Sequence, residues 1–351
     1  MRTAKIPATV VTGFLGAGKT TLIRHILQNA DGRRIALIIN EFGDLGVDGE
    51  VLRGCGIAAC REEDVVELTN GCICCTVADD FVPTMTRLLD RSDPPDHIVI
   101  ETSGLALPQP LVQAFNWPGI AERVTVDGVV TVVDAAAVAD GRFAHEPAAV
   151  EAQRRADPAL DHEAPLEELF EDQLGAADLV VLNKTDLLDE ATVGRVRRRV
   201  EGEGNGRIVT ASHAALPLAV LLGIGAGTEA LIDGRPSHHA DEGEHDHDDF
   251  ATFVVDGPEV DDVDAFAQAL APVIDRHDIL RLKGFADVPG KPMRLVVQAV
   301  GRRIDVGYDR LWRPGERATR LVVIALAGLD VATVRRDLLK AMADAAATAD
   351  A

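Results

Sequence analysis

Short apolar runs alternate with helical stretches over the first two thirds of the chain. The runs predicted as strands span residues 8–12, 35–40, 97–101, 124–133, 178–182 and 208–210. Helices are predicted at 19–28, from about 189 onward, and in the apolar segment that follows residue 214. This alternation is typical of a mostly parallel sheet covered by helices, an α/β fold. The polar, alanine-rich stretch 140–165 is predicted to be a surface insertion in this domain.

The pattern changes twice after residue 222. Residues 223–249 have no apolar periodicity and are rich in histidine, acids and glycine, which predicts a linker. Strands are then predicted at 251–255, 279–285, 294–300, 303–308 and 321–327, with helices at 260–275 and 331–343. The expected organisation is an α/β domain at 1–222, a linker at 223–249 and a small α+β domain at 250–351.

Composition limits the classes of function. The 351 residues include 35 Lys and Arg against 57 Asp and Glu, a net charge of −22, and show no local basic patch. Such a charge repels phosphate backbones and anionic lipid, so we expect neither nucleic-acid nor membrane partners. No secretion signal is visible, and the five cysteines are crowded between Cys55 and Cys75. An odd number of cysteines crowded into one segment suits free thiols better than disulfides, which predicts a reducing compartment, the cytoplasm.

The first strand leads into GFLGAGKT, which fits the phosphate-loop pattern G-x4-G-K-[ST] and opens directly into a helix. The glycines let the backbone turn its N–H groups toward phosphates, with the helix dipole behind them. Lys19 is expected to reach the β and γ phosphates, and the Thr20 hydroxyl to bind Mg²⁺. The residues expected to bind nucleotide here are Gly13, Gly16, Ala17, Gly18, Lys19, Thr20 and Thr21.

A second motif, NKTD, follows the strand at 178–182 and favours guanine over adenine. The Asp186 carboxylate can accept from both N1–H and the exocyclic amine of guanine, whereas adenine offers neither donor at these positions. Asn183 is expected to brace the loop, and the stem of Lys184 to lie across the base. Carboxyl ends of parallel strands meet at one edge of a sheet, so NKTD and the phosphate loop should form one site.

ETSG follows the strand at 97–101. Glu101 could approach Mg²⁺ there, and the N–H of Gly104 could meet the γ-phosphate. Leu105 comes next, so no glutamine at that position can orient an attacking water, which predicts slow intrinsic hydrolysis. Asp134, at another strand end, either contributes to this site or is a polar loop residue.

Cys72, Cys74 and Cys75 place three thiols in four positions. Thiolates this close repel one another unless a cation gathers them, which predicts a soft or borderline transition metal. Cys55 and Cys60 are either additional ligands or structural. Four histidines in the linker could collect metal at low affinity or belong to a solvated linker: His238, His239, His245 and His247. His97, inside a strand, is predicted to be a satisfied core residue.

Taken together and in this order, GFLGAGKTT, NEFGD (residues 40–44), GCICC, ETSG and NKTD resemble the CobW family of metal-binding GTPases. The resemblance extends over the His-rich linker and the small α+β domain. The stretch 47–85 is most similar to the branch of the family that serves cobalamin biosynthesis.

This resemblance implies a cytosolic, GTP- and Mg²⁺-dependent metallochaperone that carries Co²⁺ or Zn²⁺ on the three cysteines to a client such as a cobaltochelatase. It further implies that Glu41 and Asp44 lie near Mg²⁺ or the cargo metal, and that nucleotide or metal can change the oligomeric state. The favoured cargo is cobalt for cobalamin biosynthesis. A metal buffer or sensor for zinc homeostasis is the alternative, and a signalling GTPase with a structural zinc is a third.

Overall fold

The computed structural model describes residues 5–30, 32–39, 65–67, 81–156, 166–222, 250–312 and 315–347. Contacts divide the chain into two compact units, one from Lys5 to Leu216 and the other from Pro217 onward. Each unit has its own sheet and its own hydrophobic core.

Strands and helices alternate in the first unit, as the sequence predicts. The described strands are β1 (Ile6–Thr12), β2 (Ile35–Ile39), β3 (Val65–Glu67), β4 (His97–Glu101), β5 (Val124–Asp134), β6 (Leu179–Asn183) and β7 (Arg207–Thr210). The described helices are α1 (Lys19–Gln28), α2 (Val82–Leu89), α3 (Pro108–Ala114), α4 (Ala135–Ala139), α5 (Pro147–Ala156), α6 (Leu166–Gly175) and α7 (Glu190–Glu203), and a 3-10 helix spans Thr185–Leu187.

The described strands of the first unit form one parallel sheet in the order β3-β2-β4-β1-β5-β6-β7. Every residue of β2, β4 and β6 is buried, as expected for parallel strands covered on both faces. His97 is a core residue, as predicted, and its Nε2 lies 2.9 Å from the Thr9 hydroxyl of β1. Because β1 lies between β4 and β5, the loop after β1 lies at the centre of the carboxyl edge, where α/β sheets bind ligands.

Part of the segment 140–165, which the sequence pattern predicts to be a surface insertion, belongs to the core. Helix α5 lies within 140–165, and its Val150 is 1% exposed in a cluster with residues of α4, α6, β6 and α7. Alanine and arginine dominate this helix, so its apolar stripe is narrow and the sequence pattern does not distinguish it from a loop.

The second unit is α+β, as predicted. Its described elements are α8 (Leu218–Leu222), β8 (Phe250–Gly257), α9 (Val263–Arg276), β9 (Ile279–Ala286), β10 (Met293–Val300), β11 (Arg303–Leu311), β12 (Thr319–Leu326) and α10 (Val331–Ala347). The strands form an antiparallel sheet in the order β11-β10-β9-β12-β8. Phe266 and Leu270 of α9 and Leu338 of α10 pack onto this sheet in one buried cluster.

Helix α8 belongs to this second unit by its contacts. The guanidinium of Arg281 on β9, 3% exposed, donates through Nε to the carbonyl of Val220 and through Nη2 to that of Leu221, the latter at 2.5 Å. A cation at the carbonyl end of a helix complements the helix dipole. The domain boundaries at 222 and 249 stay a prediction. Among the described residues, no helix is both long and apolar enough to cross a membrane.

Candidate functional site

The loop between β1 and α1 is a tight cradle that depends on glycine. Gly13 has φ of 131°, and a Cβ placed on it would lie 2.1 Å from the carbonyl oxygen of Val132. Gly16 and Gly18 also have positive φ, 77° and 110°, a conformation that residues with a side chain rarely adopt. At Gly18 a Cβ would lie 2.3 Å from Nδ2 of Asn183. The loop therefore tolerates no side chain at Gly13 or Gly18 without displacing a neighbour.

Lys19 turns its ammonium group back over this loop. Its Nζ donates to the carbonyl oxygens of Gly13 at 2.8 Å and Phe14 at 3.3 Å, and the residue is 8% exposed. Phosphate oxygens at the loop could replace these carbonyls as acceptors of the same ammonium group. Thr20 is partly buried in the first turn of α1, whereas Thr21 is exposed.

Aromatic packing holds the outer side of the loop. Phe14 is 2% exposed, and its ring centroid lies 6.0 Å from that of Phe143 and 5.9 Å from that of Phe170 on α6. The two partner rings are themselves 5.0 Å apart. This cluster packs α6 next to the phosphate loop.

ETSG lies beside the same loop because β4 pairs with β1. Glu101 is 6% exposed and in register with Val11. The next residue, Thr102, donates its N–H to the carbonyl of Val11 at 3.0 Å and its hydroxyl to that of Thr12 at 2.9 Å. Gly104 follows, and a Cβ there would lie 2.9 Å from the backbone nitrogen of Leu15. The backbone of Gly104 is thus packed directly against the phosphate loop.

Asn183, the first residue of NKTD, connects three segments. Its Nδ2 donates to the carbonyl of Ala17 in the phosphate loop at 2.9 Å, and its Oδ1 accepts from the N–H of Ala214 at 2.8 Å. The side chain is buried, with the residue 3% exposed. This amide therefore joins the loops that follow β1, β6 and β7.

Lys184 has an unusual backbone and a buried partner. Its φ is 64°, and its Nζ lies 2.6 Å from Oδ2 of Asp134. Asp134 is 1% exposed, and its Oδ1 also caps α4 by accepting from the N–H of Ala137 at 3.0 Å. The interpretation of Asp134 as a polar loop residue is therefore wrong, because its carboxylate is buried and holds the lysine of NKTD.

The loop after β7 is a part of this edge that the sequence analysis missed. His213 and Ala214 have φ of 52° and 56°, two consecutive non-glycine residues in the left-handed region. Nε2 of His213 lies 3.9 Å from Oδ2 of Asp186, whose side chain is 33% exposed. Such backbone outliers concentrate at functional sites. Only the position of the loop, at the carboxyl end of the strand next to β6, could have indicated it.

Of the predicted metal ligands, Thr20 and Glu101, assigned to Mg²⁺, are described above, and the others lie outside the described residues. These are Cys72, Cys74, Cys75, Glu41, Asp44, His238, His239, His245 and His247, and the same holds for Cys55 and Cys60. Within the described part of the chain, no group of three or more His, Cys, Asp or Glu side chains could hold a metal ion.

Comparison with known proteins gives two family matches that together span both units. The model described as the CobW/HypB/UreG nucleotide-binding domain matches residues 7–208, and the cobalamin synthesis protein cobW C-terminal domain matches residues 250–342.

Curated relatives match over nearly their whole length. A Sinorhizobium protein named zinc chaperone CobW is 64% identical over 338 residues, covering 94% of this chain and 96% of the relative. A Pseudomonas aeruginosa protein of the same name is 58% identical over 354 residues, covering 97% and 92%. An Escherichia coli protein named zinc chaperone YjiA is 30% identical over 337 residues, covering 92% and 94%. The chain therefore belongs to the CobW family, with a nucleotide-binding domain of the CobW/HypB/UreG type followed by a CobW C-terminal domain.

Proposed function

We propose that this protein is a GTP-dependent metallochaperone that binds a transition metal at Cys72, Cys74 and Cys75 and delivers it to a client protein on GTP hydrolysis. The observation that supports nucleotide binding in this proposal is the hydrogen bond of 2.9 Å from Nδ2 of Asn183 to the carbonyl of Ala17. It joins a guanine-type motif to a phosphate-type loop, so that one nucleotide could contact both.

Guanine recognition is assigned to Asp186 and the stem of Lys184. The carboxylate of Asp186 is partly exposed at the carboxyl edge and could pair with the two N–H groups of guanine. Asp134 holds the ammonium end of Lys184 at 2.6 Å, which leaves the aliphatic stem to cover the base. Adenine has no matching donor pair for Asp186, so GTP is the nucleotide expected here.

The donor set present suits Mg²⁺. The Thr20 hydroxyl and the Glu101 carboxylate are hard oxygen ligands, which Mg²⁺ prefers. Mg²⁺ would be held by these two residues and by phosphate oxygens, and when bound it would neutralise charge on the phosphates. Leu105 follows Gly104 and is 1% exposed in the core, which is consistent with slow intrinsic hydrolysis.

Zinc is the cargo that the relatives' names favour, since three of them are named zinc chaperones. Three thiolates suit Zn²⁺ and also bind Co²⁺, and intrinsic affinity places zinc above cobalt. Delivery of Co²⁺ for cobalamin biosynthesis is the second candidate, which the resemblance of residues 47–85 favours.

The test is a competitive Zn²⁺ titration of the reduced protein with Mg²⁺ and either GDP or a non-hydrolysable GTP analogue, repeated with Co²⁺. We expect metal affinity to rise at least about tenfold with the GTP analogue, a coupling of about 1.4 kcal/mol. Replacing Cys72, Cys74 and Cys75 with serine should abolish binding of either metal. A metal affinity that is the same with GDP and with the GTP analogue would favour the alternatives, which are a metal buffer, a sensor and a GTPase with a structural zinc.

A matched control uses the base site. Asp186→Asn leaves the thiols intact but removes the acceptor pair for guanine, and its amide donor suits the C2 carbonyl of xanthine. The variant should lose coupling with the GTP analogue and regain it with the corresponding xanthosine analogue. Coupling that persists with GTP in this variant would show that the nucleotide acts elsewhere.

A further inference from the structure

Gln173 is a buried amide next to the candidate site. It lies on α6, is 0% exposed, and its Nε2 lies 3.1 Å from the carbonyl oxygen of Gly104 and 3.1 Å from that of Ala106. Carbonyl oxygens only accept hydrogen bonds, so the NH₂ end of the amide must face them. Both donors of that group are thereby used on one loop.

The loop that Gln173 contacts, residues 102–107, connects β4 to α3 and is anchored at two points. At its start, Thr102 bonds to Val11 and Thr12 of β1. Farther along the loop, Gln173 binds the carbonyls of Gly104 and Ala106. Gly104 is thus held directly by Gln173, and its backbone lies against Leu15 of the phosphate loop. The two anchors together determine how closely Gly104 approaches that loop.

Gln173 is itself held in place from the sheet. The backbone carbonyl of Gln173 accepts a buried hydrogen bond from the Thr131 hydroxyl of β5 at 3.0 Å. Its neighbour Leu174 is 0% exposed in the core, and Phe170, one turn earlier, packs on Phe14. The amide therefore acts as a rigid connection from the central sheet to the loop.

The chemistry of the side chain also favours a positioning role. Its Oε1 is buried and has no hydrogen-bond partner among the described residues. An apolar side chain of similar length would avoid this unsatisfied oxygen, which is unfavourable to bury. The amide is thus useful at this place for its two donors and not for packing.

We propose that Gln173 is a positioning residue that holds Gly104 at the distance from which its N–H can contact the γ-phosphate. The inference rests on the proposed GTPase function and assigns a residue outside the sequence motifs to it. GDP lacks the γ-phosphate, so loss of Gln173 should affect GTP hydrolysis and leave GDP binding intact. A residue with only a structural role would change both or neither.

The test is Gln173→Met in the full-length protein, which keeps the length of the side chain and removes both donors. Misplacement of a reacting group by about 1 Å can cost up to about 100-fold in rate, so we expect kcat for GTP to fall about 10- to 100-fold. Affinity for GDP should stay within about twofold of wild type, because GDP has no γ-phosphate for Gly104 to contact. Hydrogen exchange of the peptide covering 101–107 should become faster without nucleotide.

Two controls separate positioning from folding. Leu174→Ala, on the same helix, removes buried core volume but no bond to the loop, so it should lower the unfolding temperature without a selective loss of kcat. Gln113→Met makes the same chemical change at an exposed position on α3 and should be neutral in every assay.

The proposal is overturned if Gln173→Met keeps the wild-type rate and the wild-type exchange, or if Leu174→Ala shows the same selective loss. Failure of the proposed function would look different. Wild-type protein would then bind GTP without hydrolysing it, and exchange of the 101–107 peptide would still decide whether Gln173 holds the loop.

Discussion

Asp134→Asn probes the buried carboxylate that holds the lysine of NKTD. A carboxylate offers two oxygen acceptors, and Asp134 uses one for the N–H of Ala137 and the other for the ammonium of Lys184. An amide offers only one oxygen. The substitution must therefore leave either the helix cap or the lysine without its acceptor, whichever way the amide turns.

The expected loss follows from burial. A hydrogen bond to a charged group contributes about 1.5–3 kcal/mol, and the lysine side chain here is 28% exposed, so water can replace part of that bond. We expect the free energy of unfolding to fall by about 1–2 kcal/mol. Because Lys184 has φ of 64°, losing its tether should also let the backbone relax away from the base site.

Nucleotide affinity should fall for GDP and GTP alike. Both nucleotides carry the same base. A loss of about 1–2 kcal/mol in binding free energy corresponds to a five- to thirtyfold weaker Kd. The assay is titration with fluorescent GDP and GTP analogues, alongside urea unfolding. Asp262→Asn is the matched control: its Oδ1 caps α9 by accepting from Asp264 and Ala265 at 2.9 Å.

This control makes the same change at a helix cap in the second unit, and it should leave nucleotide affinity unchanged. Asp134→Asn would contradict the reasoning if GDP affinity stayed within about twofold of wild type. A loss of affinity for GTP alone would contradict it as well, because the Asp134–Lys184 pair is assigned to the base and not to the γ-phosphate.

Three further outcomes are expected. Gly13→Ala should cost about 3 kcal/mol or more in unfolding free energy and abolish nucleotide binding, since its Cβ would meet the carbonyl of Val132; urea unfolding and fluorescence titration measure both. Asp186→Asn should shift preference from GTP to XTP in a competition assay, and an unchanged preference would remove Asp186 from base recognition. The hydrogen bond with His277 holds the pKa of Asp337 below its ordinary value of 3.8, so the stability it contributes is present above that pH and is lost as pH falls through the lowered pKa. Asp337→Asn should make acid unfolding of the protein less steep below about pH 4, and an unchanged profile would count against this contribution.

Much of the parallel sheet could be predicted from local pattern because β2, β4 and β6 are buried along their whole length, so each is an almost continuous apolar run. The run 97–101 matches β4 residue for residue, and the predicted phosphate loop follows β1 as expected. Helix α3 was missed, because it is seven residues long and contains two prolines, so no helical period can develop. Helix α6 has an apolar face, but it begins beside the weakly patterned stretch.

The side-chain contacts of the site could not be predicted because they join residues far apart in the chain. Gln173 and Gly104 are 69 positions apart, and Asn183 and Ala17 are 166 positions apart. A buried glutamine on a helix has no sequence motif. The left-handed residues His213 and Ala214 also lack one, since glycine, the usual sign of that conformation, is absent there.

The place of β1 in the sheet has a consequence for synthesis of the protein. Both neighbours of this strand, β4 and β5, come much later in the chain, and β5 ends about 120 residues after β1. At translation rates of about 5–20 residues per second, the apolar strand must wait about 6–24 s before both of its edges can pair. During that interval the nascent chain exposes an unpaired apolar strand, which is prone to aggregate. Nascent chains that carry β1 but end before β5 should therefore depend on ribosome-associated chaperones to stay soluble.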